Sequence, residues 1–336
     1  MKTTEYLDTL KQWHKDKSQW YFTQSEEDSG FIQQSILPKI AEQENAIHAD
    51  IIYIYEYLSW FYLDRGIFQL QDSNNQLMYE NSLGLAWKYA YITLTVGDKL
   101  CGCLDKNPAE EMPRAGRLLD LVSIFGDIRY LERAWMALVK SIEGKSCLIR
   151  RGTSDAMQAW FSMELVSHYF QRPLETEQAY YPVKFSHYTN VLNEWDTLDL
   201  QKVDNHISLL AELHISTYVN DEDTFILVPF LKIFPYEILT WLKLRELKGL
   251  KNPKTFTHPL MNTPIAKMFL NIKEPLLYPQ ELPYAKELLE KLKEQCPDVE
   301  IPEWLDGSTT AVKTEETKEE KHNQDNIIPD DFFVQE

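Results

Sequence analysis

ENAIHADIIYIYEYLSWFYLDRG, residues Glu44–Gly66, decides the fold class. Ile47, Ile51, Ile54, Tyr55, Leu58, Phe61 and Tyr62 recur at intervals of three and four, the spacing that stacks side chains on one face of an α-helix. A half-buried strand would alternate apolar and polar residues, and this run does not. The apolar stripe is wide, so the helix is expected to be deeply buried, with Gly66 as its stop.

The same period recurs on both sides of this run. Upstream it predicts a helix over Thr4–Phe22, and downstream one from about Glu80 to Leu104. A further helix begins at Asp127 as cap and runs through Ile128, Leu131, Trp135, Leu138 and Val139 to Gly144. Thr153 or Ser154 can cap the next, which carries Met157, Trp160, Phe161, Leu165 and Phe170 and ends before Pro173. Four more are predicted: Val183–Trp195; Leu200–Tyr218 with Asp199 as cap; Phe234–Lys248 closed by Gly249; and Pro283–Gln295 with proline in the first turn. The chain has only 11 glycines, and no segment reads as a strand. The fold class is therefore all-α, either a multi-helix bundle or stacked helical hairpins. The early helices begin roughly 35 to 45 residues apart, which suits hairpin stacking, although no consensus of the tetratricopeptide type recurs.

Length allows residues 1–305 to form one large helical domain, or two subdomains meeting near residues 172–182. From Asp306 the texture changes. The stretch TTAVKTEETKEEKHNQDN has no aromatic residue, and 306–336 holds nine acids against three lysines, so a disordered acidic tail is expected. Its end regains apolar character at Ile327, Ile328, Phe332, Phe333 and Val334, which is either a frayed terminus or a short docking motif.

With 52 acidic against 34 basic residues, the formal charge is -18, and a field of that sign repels phosphate backbones and anionic lipid. Nucleic acid and membranes are not the expected partners; basic proteins are. Met1–Leu10 has no apolar segment of the secretory kind, and the longest apolar run, Phe225–Phe234, is too short for a membrane span and reads as core. Cys101, Cys103, Cys147 and Cys296 are too few for a disulfide framework and fit thiols in a reducing cytoplasm.

Catalytic signatures are absent from the sequence. No histidine pair has metal-binding spacing: His206 and His214 share a helix eight residues apart, about 80° out of register. Cys101 and Cys103 lack a second cysteine pair, and neither a phosphate-cradling glycine loop nor a Gly-x-Ser-x-Gly elbow occurs. The chain is not expected to be an enzyme or to carry a cofactor. The aromatic density at Tyr53–Tyr62 and Trp87–Tyr91 is most economically core packing. Carboxylates are the abundant functional resource. Glu194, Asp196, Asp199, Asp204, Asp221, Glu222 and Asp223 either cap helices and solvate the surface or form a partner-binding surface.

Two segments carry a family resemblance. WDTLDLQKVDNHISLLAELH, Trp195–His214, is followed by NDEDTF and then by FPYEILTWLKLRELKGLKNPKTFTHPLMNTP, Phe234–Pro264. This order is similar to the all-α immunity proteins encoded beside bacterial polymorphic toxins, and resembles the family labelled immunity protein forty-nine. A fainter similarity to the immunity proteins of polymorphic nuclease toxins lies in Tyr180, Tyr181 and Pro182 and in the Trp195–Asp196 pair. The resemblance spans about Ala46–Met268. It implies a cytosolic antidote that binds its cognate toxin stoichiometrically. The alternatives are a helical scaffold or adaptor for a basic protein and a helical enzyme whose pocket is built from scattered carboxylates and histidines.

Overall fold

A computed structural model of the chain describes residues 47–69, 76–104, 110–144, 147–148, 154–174, 185–220, 234–277, 282 and 285–305. The predicted helix Thr4–Phe22, most of the run Phe225–Phe234 and the tail 306–336 lie outside the described residues. Those described contain ten α-helices: α1 Ile47–Gln69, α2 Gln76–Leu104, α3 Met112–Phe125, α4 Ile128–Glu143, α5 Ser154–Phe170, α6 Ser186–Asn193, α7 Leu200–Asn220, α8 Tyr236–Leu247, α9 Pro264–Asn271 and α10 Ala285–Gln295. The class is all-α. The extended structure is β1, Glu110–Glu111, paired in parallel with β2, Cys147–Leu148, a pairing too short to show as apolar alternation.

Local signals place the helix ends. Asp127 caps α4 by accepting from the Arg129 amide at 2.9 Å, and the Gly144 amide closes it on Lys140 O at 2.7 Å. Gln171 adopts a left-handed φ of 55° just ahead of Pro173, letting the Arg172 amide reach back to Ser167 O at 3.1 Å and end α5. Gly249, at φ 80°, does the same for α8.

Gly66 does not stop α1, which continues to Gln69. A Cβ there would stand 2.8 Å from Leu83 Cδ2, so the missing side chain lets α2 approach α1 closely. Two helices escape the periodic reading. In α3, the Arg-Ala-Gly start obscures the pattern, and Gly116 is where the helix meets α5: a Cβ would lie 2.3 Å from Ala159 Cβ. α9 is two turns long, and Thr263 caps it by accepting from the Ala266 amide.

α1 lies along α2, α2 against α3 and α4, and α3 against α5 and α8. One apolar core runs through these helices and on to α10, and it includes Trp87, Phe125, Trp160, Phe161, Phe234 and Trp241. Tyr55 OH donates to Ala285 O at 3.0 Å, tying the first described helix to the last. α8 sits at the centre. Every residue from Tyr236 to Arg245 is buried, so the helix has no solvent face until its last two residues, Glu246 and Leu247, and no amphipathic stripe. Its polar side chains must therefore find partners inside the fold.

Candidate partner-binding surface and the polar core behind it

The turn joining α6 to α7 brings together three of the predicted site residues, Glu194, Asp196 and Asp199. Glu194, half-exposed, accepts from Lys202 Nζ at 2.7 Å and bonds His206 Nε2 at 2.9 Å. The lysine hydrogen bond, followed by that of the histidine, holds the Glu194 carboxyl below its ordinary pKa and raises that of Lys202. Asp196 is exposed and reaches Lys248 Nζ at 3.4 Å. Asp199 caps α7, accepting from the amides of Gln201 at 3.0 Å and Lys202 at 3.3 Å. Asp204 faces inward instead: it is buried, and its carboxylate accepts from the Thr257 amide at 3.0 Å and hydroxyl at 2.5 Å. Asp221, Glu222 and Asp223 lie outside the described residues. Residues 185–220 as a whole carry five acids against one lysine.

Between Asp196 and Asp199 stands Leu198, 80% exposed, with the partly exposed Leu200 opening α7. The turn is braced from behind by Arg245, a residue of α8 that the sequence reading did not single out. Its guanidinium donates to Trp195 O at 2.7 Å, Thr197 O at 2.9 Å, Lys251 O at 2.9 Å and Asn252 Oδ1 at 3.1 Å. Trp241 Nε1 adds a second bond to Trp195 O at 2.9 Å, and Lys248 Nζ lies 4.3 Å from the centre of the Trp195 ring. An exposed leucine is thus held on a backbone with little freedom to move.

Deeper in the fold, α3, α5, α7 and α8 share a buried polar cluster. His214 Nδ1 bonds Glu237 at 2.9 and 3.1 Å, and Gln158 Nε2 donates to the same carboxylate at 3.2 Å. Tyr236 OH donates to Gln158 Oε1 at 2.7 Å, and Thr240 Oγ1 to Asp120 Oδ1 at 2.7 Å. Asp120, Glu237 and His214 are all fully enclosed. Acid–base work on a substrate needs a path to the reacting proton, so this arrangement acts within the core, fixing the register of four helices. Among the described residues no group of three or more His, Cys, Asp or Glu could hold a metal ion.

No family model, curated protein or solved structure matches the chain. Among the described residues, no helix is long and apolar enough to cross a membrane.

Burial sets a pH response. Desolvation, reinforced by the nearby Glu237, pushes the Asp120 carboxyl well above its ordinary 3.8, despite the hydrogen bond from Thr240 and the Arg117 charge. On α1, burial alone raises Asp64 to about 7. A carboxyl raised in the folded state keeps a proton that the unfolded chain has released, so stability falls as pH climbs from the ordinary value toward the raised one. Asp64→Asn is expected to flatten the loss between about pH 4 and 7, and Asp120→Asn to remove a loss that continues toward its own raised pKa. Urea midpoints at pH 5 and 8 check both; the same pH dependence in wild type and variants would refute the assignment.

Proposed function

We propose that the protein acts by stoichiometric binding, as a cytosolic immunity protein that occludes a basic surface of a cognate toxin. The observation that carries this reading is the α6–α7 corner, where Leu198 projects 80% exposed between acids on a backbone braced by Arg245. An apolar side chain on a pre-ordered support loses little entropy on docking, which is what an interface anchor requires. The overall charge of -18 adds long-range attraction for a basic partner and speeds encounter. The resemblance of Trp195–His214 and Phe234–Pro264 to immunity proteins covers the same corner.

The test begins with isolation of the partner from the native host and co-expression of the chain with the toxin encoded beside it. The chain is expected to rescue growth; continued killing despite soluble expression removes the antidote reading. Leu198→Asp is expected to weaken the complex about tenfold or more with an unchanged melting temperature. Asp196→Lys should slow association most at low salt. Lysine at 221, 222 and 223 extends the test beyond α7. If the affinity survives every one of these changes, the interface lies elsewhere.

A further inference from the structure

The first turn of α2 and the segment after α9 enclose a cleft of about 410 Å³, with Leu77, Leu276 and Leu277 on its apolar side and Glu80, Lys273 and Glu274 on its polar side. Two large apolar side chains of its lining stand in solvent: Leu77 at 67% and Leu277 at 50% exposure. The floor is fixed from below, since Trp87 Nε1 donates to Leu276 O at 2.7 Å and Lys88 Nζ donates to Leu277 O. An apolar rim on a preformed floor is a surface that gains by being covered.

The chain leaves the described fold beside this cleft. The Trp304 ring is centred 5.5 Å from the same Lys88 ammonium and 6.1 Å from the Trp87 ring. The 31 residues that follow, 306–336, lie outside those described and carry nine acids against three lysines. They end in the apolar stretch IIPDDFFV, Ile327–Val334. The lining itself carries Lys273, paired with Glu246 at 2.7 Å, beside Glu80 and Glu274, so the apolar end of the segment rather than its acids is what the cleft suits.

We propose that the cleft receives the chain's own segment Ile327–Val334, with Phe332 and Phe333 seated against Leu77 and Leu277. Residues 306–326 make a tether with a root-mean-square span of roughly 25 Å, enough to reach a cleft adjoining its origin. At that length the tethered segment has a local concentration on the order of millimolar, so even a weak site is filled. The docked segment shields Leu77 and Leu277.

Full-length protein carrying Phe332→p-benzoylphenylalanine, irradiated and mapped by mass spectrometry, tests this. Expected are intramolecular crosslinks to residues 76–81 or 268–277, at least halved on adding Leu77→Asp with Leu277→Asp. Both leucines are exposed, so a circular dichroism spectrum like that of wild type is expected for the double variant. A second full-length protein with Phe332→Ala and Phe333→Ala should show faster amide exchange over 268–277. Crosslinks between two copies would place another chain in the cleft and overturn the proposal. So would crosslinks to other faces, none at all, or a yield indifferent to the leucine substitutions. None of these outcomes bears on the α6–α7 corner.

Discussion

Glu237→Ala is expected to cost about 3–5 kcal/mol of unfolding free energy, the usual consequence of removing one member of a buried pair. The loss strands His214, which is fully enclosed and has its Nδ1 on that carboxylate, and deprives Gln158 Nε2 of its acceptor. Water cannot replace either partner without opening the contact among α5, α7 and α8. His214→Ala should be comparably damaging, because the Glu237 carboxylate then keeps only Gln158 from this set. The two changes act on one network, so the double variant is expected to fall well short of the sum of the singles. Urea midpoints for the four proteins decide the matter. Additive losses below about 1 kcal/mol each would show that the cluster contributes no more than a surface pair.

Arg245→Ala carries the second large effect, also about 3–5 kcal/mol, because three backbone carbonyls and the Asn252 side chain lose donors at a buried site. Arg245→Lys should recover only part of the loss, since a single ammonium cannot reproduce the planar fork that reaches Trp195, Thr197 and Lys251 together. The damage should be concentrated at the α6–α7 turn. Amide exchange over residues 195–200 is expected to rise before that of α8 itself, with partner affinity falling even though no contact residue has changed. Unchanged exchange in the turn would mean that Trp241 alone holds it.

Legibility followed distance along the chain. Asp127 and Asp199 were readable as caps because the amides they serve are two or three residues away. Asp204 has the same chemistry five residues after Asp199, yet its partner, Thr257, lies 53 positions downstream. Nothing in the local pattern distinguishes an acid facing solvent from one facing a distant threonine. Gly66 shows the same limit from the other side. A glycine after an apolar stripe is ordinarily a helix stop, and only the approach of Leu83 reveals that its lack of a side chain is used for packing. In α8, the spacing of YEILTWLKLREL predicted a helix correctly, but that Glu237, Thr240, Lys243 and Arg245 are buried follows only from the neighbours that enclose them.

The amino-acid sequence by itself determined the all-α class, most helix positions and several caps, because 3.6-residue periodicity and end-capping depend only on residues within a turn or two. The tertiary structure alone decided which charges are buried, that Arg245 braces the α6–α7 turn, and that a cleft opens beside the point where the tail departs. Burial is conferred by segments tens to hundreds of positions away. A side chain's role is therefore settled only when those segments close around it or leave it in water.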